Sequence, residues 1–187
     1  MQAFEVSRWA GALLVAGAAM APAAHAVTQA VSTNTLNIAV TLATPVLAGD
    51  NIRLDTLVTC GPGPLLQSIT FTVGAGVGSL IGEAAWEISA AAGTRPRLIG
   101  VNIDIFDSSS ALVTSDSFAG TLGGFAVSTF ASAIGPGTYK MVATGTGVRD
   151  SSLDVTLSFV TVVPEARTYS MMLAGLGLFG LLGVRRR

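Results

Sequence analysis

Through the middle of the chain, apolar and polar residues take turns. Leu36, Ile38, Val40 and Leu42 are separated by Asn37, Ala39 and Thr41. Ile69, Phe71 and Val73 enclose Thr70 and Thr72, and Val101, Ile103 and Ile105 enclose Asn102 and Asp104. Tyr139, Met141 and Ala143 repeat the pattern, as do Leu153, Val155, Leu157 and Phe159. A period of two marks strands with one buried face and one wet face. Stretches 52–59, 84–90, 111–118 and 121–130 show it more weakly. Turn chemistry separates the runs: Ala48-Gly49-Asp50-Asn51, Gly61-Pro62-Gly63-Pro64, Gly93-Thr94-Arg95-Pro96, Asp107-Ser108-Ser109-Ser110 and Gly135-Pro136-Gly137. Only Leu80–Ala92 has an arguable helical period, and there Trp86 and Ile88 alternating with Glu83, Glu87 and Ser89 favour a strand. Many short strands with frequent turns predict an all-β body, a single antiparallel β-sandwich of jelly-roll or Ig-like type.

The two ends break this pattern. The first thirty residues read MQAFEVSRWAGALLVAGAAMAPAAHAVTQA. Positive charge from Arg8 and the amino terminus precedes an apolar run from Trp9 to Met20, too short to span a bilayer comfortably. Pro22 breaks the helix, and Ala24-His25-Ala26 places small residues at the two positions a signal peptidase must accommodate. Residues 1–26 are therefore expected to be a signal peptide whose helix is removed by signal peptidase after Ala26. Removal has a chemical consequence, because His25 is the chain's only histidine. A mature chain starting at Val27 has no imidazole for a triad, a zinc site or a general base.

The last residues, from Val162, read VVPEARTYSMMLAGLGLFGLLGVRRR. Residues 169–184 carry no charge and Arg185, Arg186 and Arg187 follow. A helix of that length is roughly 24 Å long, short against a hydrocarbon core of about 30 Å. Snorkelling arginines and an interfacial Tyr169 can close the gap. The arginines stay cytoplasmic by the positive-inside rule, which sets the topology as body outside and C-terminus inside. Gly175, Gly177, Gly180 and Gly183 leave a smooth helix face that another transmembrane helix can approach closely.

Pro164-Glu165, the run Thr168-Tyr169-Ser170-Met171-Met172-Leu173-Ala174-Gly175-Leu176-Gly177 and the closing arginines resemble a PEP-CTERM sorting signal. Such signals occur on exported proteins of Gram-negative bacteria that make extracellular polysaccharide. The resemblance covers residues 164–187 and implies an exosortase partner in the inner membrane, with Pro164 and Glu165 as the recognition pair. It also implies transient anchoring, then release to the cell surface or the medium. One departure stands out: Ala166 occupies the place of the motif's second proline, which bears on cleavage efficiency. The stretch Gly135–Val148, GPGTYKMVATGTGV, is similar to the last hairpin of many bodies carrying this signal, with Tyr139 expected as a buried ring whose hydroxyl sits near the rim.

Between the ends, residues 27–163 form the expected β-sandwich body. It carries nine carboxylates against five cationic side chains, a net charge of −4. A thinly charged acidic surface does not neutralise phosphates, so nucleic acid is not an expected partner. Cys60 is the lone cysteine, read as a small residue at a strand end because no histidine is left to activate it. Asn102, Asp104, Asp107 and Asp116 are the only arguable oxygen ligands for calcium, and Asp107 before three serines is more simply a turn cap. Glu83 and Glu87 sit roughly 13 Å apart along one strand, too far for a glycosidase pair. Gly74–Glu83, GAGVGSLIGE, fails the spacing of a dinucleotide fingerprint and reads as a flexible hairpin loop. No catalytic, cofactor or metal residue is assigned. The expected function is noncatalytic: a sorted surface or extracellular-matrix protein associated with exopolysaccharide or biofilm. The alternative is a carbohydrate-binding or adhesin module presenting Trp86, Phe106, Phe118 or Phe125, with core packing as the plainer role for these rings; a secreted enzyme ranks below both.

Overall fold

The computed structural model describes residues 26–58, 62–88 and 97–161. The strands are β1 (Thr28–Thr33), β2 (Asn37–Thr41), β3 (Asn51–Val58), β4 (Gly63–Val73), β5 (Val77–Glu87) and β6 (Leu98–Asp107). They continue with β7 (Leu112–Ser115), β8 (Ser117–Leu122), β9 (Phe125–Ala133), β10 (Gly137–Gly147) and β11 (Ser151–Thr161). One sheet has the order β1-β3-β11-β5-β9-β8 and the other β2-β4-β10-β6-β7. All five runs of clear alternation lie within or across strands, and Trp86 lies on β5 as the strand reading of that stretch requires.

The sandwich is mixed, not purely antiparallel as expected. β1 pairs with β3 in parallel, and β2 pairs with β4 in parallel. The connectivity explains it. β1 and β2 form an arch with one strand in each sheet, and β3 and β4 form a second arch beside it. Two arches stacked side by side pair outgoing strand with outgoing strand and returning strand with returning strand. The side-chain period is blind to this choice, since both pairings bury alternate residues.

Alternation places Ile52 and Leu54 of β3, Leu65, Ile69, Phe71 and Val73 of β4, and Leu153, Val155, Leu157 and Phe159 of β11 between the sheets. Each such side chain contributes roughly 1.5–3 kcal/mol when fully buried. Phe71 sits at the centre of an aromatic group, stacked on Tyr139 at 6.0 Å and edge-on to Phe159 at 5.6 Å. The Tyr139 hydroxyl donates to the Gly135 carbonyl at 3.0 Å, so the ring is held inside with its polar tip at the rim. A polar bridge crosses the core: Thr56 Oγ1 donates to Gln67 Oε1 at 2.8 Å, and Gln67 Nε2 donates to the Thr35 carbonyl at 2.9 Å. Thr56 and Gln67 are both fully buried, so this pair ties the two sheets and the β1–β2 arch together.

The glycine-rich run GAGVGSLIGE is not a loop. Only Gly74–Gly76 turns, and Val77 onward is β5. Gly82 lies in the strand interior because the Phe130 ring of β9, its register partner, occupies the space a side chain would need. Stretch 121–130 divides into β8 and β9, joined by Gly123 and Gly124 at φ +58° and +90°. Two consecutive positive φ values make the type I′ hairpin turn that matches strand twist.

Candidate functional site

The chain's two exits from the body meet at one end of the sandwich. Thr28 pairs with Asn51 on one side of β3, and Ser158 of β11 pairs with Asn51 on the other. The start of β1 at Thr28 and the end of β11 at Thr161 therefore lie two strands apart. Asp50 joins them. Its backbone N–H donates to the Leu47 carbonyl, its carbonyl accepts from Phe159 N–H at 3.1 Å, and Gly49 N–H donates to the Phe159 carbonyl at 2.7 Å. Its carboxylate accepts from Val27 N–H through Oδ1 and from Leu47 N–H through Oδ2, both at 2.8 Å. In the sequence Asp50 shows only as a turn residue, because a contact spanning 23 positions leaves no local signal.

Ala26 is exposed at this end. Ala24, Pro164, Glu165, Arg185, Arg186 and Arg187 lie outside the described residues, as do Cys60 and both flanking helices expected at the ends. Among the described residues, no helix is long and apolar enough to cross a membrane.

The outer face of the six-stranded sheet holds a trough of about 530 Å³ lined by Arg53, Glu83, Thr129, Asp154, Thr156 and Ser158, with Ile81 as one wall. Arg53 grips Asp154 with two bonds, Nε to Oδ1 at 3.3 Å and Nη2 to Oδ2 at 2.5 Å, while Asp55 lies 3.9 Å from Nη2. The hydrogen bond to Asp154, then its charge, raises the Arg53 pKa further above its usual range. Glu83 and Glu87 share this outer face, and Glu87 sits 3.2 Å from Arg97 Nε. They are not a facing pair.

The carboxylates weighed for calcium are occupied in separate structural bonds. Asp104 Oδ2 accepts from Asn102 Nδ2 at 2.7 Å and Oδ1 takes a short bond from the Ser115 hydroxyl. Asp116 Oδ1 accepts from Ile103 N–H at 2.8 Å, at the single residue where the chain steps from β7 in one sheet to β8 in the other. Asp107 Oδ1 caps its turn, accepting from Ser109 N–H at 2.8 Å, Ser109 Oγ at 2.6 Å and Ala111 N–H at 2.9 Å. Those bonds, the Ser109 hydroxyl first, hold its pKa below the ordinary 3.8. Among the described residues, no three of His, Cys, Asp and Glu gather as a metal site.

The aromatic candidates divide. Trp86 is a core residue, and Phe106 is half-buried on the outer face of the five-stranded sheet. Phe118 is 64% exposed and Phe125 39% exposed, so core packing does not account for those two. Leu122, opposite Phe125 across the hairpin, is 78% exposed and extends an apolar edge.

Comparison with known proteins gives one sequence assignment. Residues 162–187 match the PEP-CTERM protein-sorting motif. The motif implies export and an exosortase partner. No curated protein matches the chain. Among solved structures, the pre-peptidase C-terminal domain of a collagenase from Bacillus anthracis is similar at 12% identity, covering 70% of this chain and 94% of that one. Its TM-score is 0.37, too slight a likeness to carry fold or function.

Proposed function

We propose that this chain is a noncatalytic surface or extracellular-matrix protein, delivered by the exosortase pathway and associated outside the cell with exopolysaccharide or biofilm. The observation that carries the reading is the sorting motif at 162–187, beginning directly after the last body strand. The fold is compatible with it. Val27 and Thr161 lie at the same end of the sandwich, so a signal helix and a sorting helix can occupy the membrane together without distorting the body. Signal peptidase removes 1–26, the 169–184 helix anchors the body transiently, and exosortase acts near Pro164-Glu165. Intact-mass analysis of the exported protein tests this. The expected species lacks 1–26 and ends near Pro164-Glu165 only when the exosortase is present. A full C-terminus in the outer fraction, unchanged without exosortase, refutes it.

A second reading is favoured by one feature. The trough hydroxyls of Thr129, Thr156 and Ser158 share the outer face of the six-stranded sheet with the exposed Phe125 ring. Hydroxyl and carboxylate groups beside an aromatic face suit a sugar chain, which offers hydroxyls at its edge and C–H groups on its faces. A glycan array with the processed protein separates the readings. Saturable binding lost in Phe125→Ala moves the body from passive matrix component to carbohydrate-binding module.

A further inference from the structure

We propose that signal-peptide removal creates an ion pair: the new α-ammonium group of Val27 closes onto the Asp50 carboxylate and locks the end of the sandwich from which the sorting tail departs. The inference rests on cleavage after Ala26, part of the reading above. In the uncut chain, Val27 N is a neutral amide donating at 2.8 Å to Asp50 Oδ1. Asp50 is only 6% exposed, and no Lys or Arg among the described residues lies in ion-pair range of it. A buried carboxylate satisfied by two neutral N–H donors still lacks a counter-charge, and burial makes that lack costly.

Hydrolysis supplies the counter-charge at that point. Water adds across the Ala26–Val27 bond, its hydroxyl going to the Ala26 carbonyl carbon and its hydrogen to the Val27 nitrogen. The freed amine takes up a proton below its ordinary pKa of about 7.7–8.0. Val27 N need not move, because its N–H already points at Oδ1 and the exposed Ala26 side gives the other two ammonium protons to water. A bond from a neutral N–H to a carboxylate becomes a hydrogen-bonded ion pair between two full charges. The Val27 carbonyl is held by Asn51 N–H at 2.9 Å, and the Asp50 backbone is bonded to Phe159, two residues before Thr161. Cutting at one end therefore stiffens the footing of the other.

The test is a cycle on the exported, processed protein. Two residues, Gly-Ser, are inserted between Ala26 and Val27, so that Ala24-His25-Ala26 still directs cleavage but Val27 N remains an amide. Asp50→Asn is made with and without the insertion. N-terminal sequencing identifies the first residue, and thermal unfolding reads stability. The expected start is Val27, and the insertion lowers Tm by about 5 °C. Asp50→Asn costs more degrees with the native start than with the insertion, because only the former loses an ion pair. Equal costs in the two backgrounds refute the ion pair and leave the cleavage reading intact. In the chain without the insertion, a first residue other than Val27 overturns both. If Asp50→Asn fails to fold, Asp50→Ser, which also removes the charge, replaces it in the same cycle, and equal costs in the two backgrounds again count against the ion pair.

Discussion

Gly82→Ala probes the closest approach in the core. Gly82 faces inward on β5 between Leu80 and Ala84, and a Cβ built there falls 2.0 Å from Phe130 Cε2 and 2.1 Å from Cζ. Carbon atoms in contact sit about 3.5–4.0 Å apart, so the ring must retreat by roughly 1.5 Å. Phe130 is buried in the same cluster, so a shifted ring moves against packed core residues. Retreat forfeits part of a burial energy of about 1.5–3 kcal/mol and adds off-rotamer strain of about 1 kcal/mol. Replacing a strand glycine recovers only about 0.5–1 kcal/mol. The net loss is about 2 kcal/mol, which lowers Tm by roughly 8 °C for a body of about 137 residues. Thermal and urea unfolding of the processed protein, followed by circular dichroism, measures it. Phe130→Leu removes the offending ring edge, so Gly82→Ala must cost less in that background. A neutral Gly82→Ala, or one equally costly with and without Phe130, refutes the packing argument.

Gln67→Met leaves the buried Thr56 hydroxyl unpaired and frees the Thr35 carbonyl at the exposed β1–β2 connection, and costs about 1–3 kcal/mol by urea unfolding, with part recovered by adding Thr56→Val. At the β8–β9 turn, Gly123→Asn is tolerated whereas Gly124→Val costs about 1–2 kcal/mol, because only the former suits a positive φ. The depressed pKa of Asp107 gives its turn a pH dependence: the contribution is complete above the unfolded value near 3.8 and is lost as pH falls through the lower folded value. Amide exchange at Ser109 and Ala111 rises over that acidic window, and does so at neutral pH in Asp107→Ala. Leu122 is 78% exposed opposite Phe125, so Leu122→Lys leaves Tm unchanged in thermal unfolding.

Export and the all-β class were both legible along the chain. Sorting machinery reads a linear motif, here residues 162–187, so export is legible without a fold. The alternation that marks β-strands is equally local. Tertiary structure decided what locality cannot carry. The parallel pairing of β1 with β3 and β2 with β4 follows from two arches stacking, which leaves the period of two unchanged. GAGVGSLIGE looked like a loop because glycine usually marks one, yet Gly82 is demanded by a ring 48 positions away. Phe118, Phe125 and Trp86 are alike in the sequence, and only their places in the sheets expose two and bury the third. Asp50 shows the limit most plainly. It bonds both Val27 and Phe159, which are far apart along the chain, and only the closed sandwich brings each within 3.1 Å of Asp50.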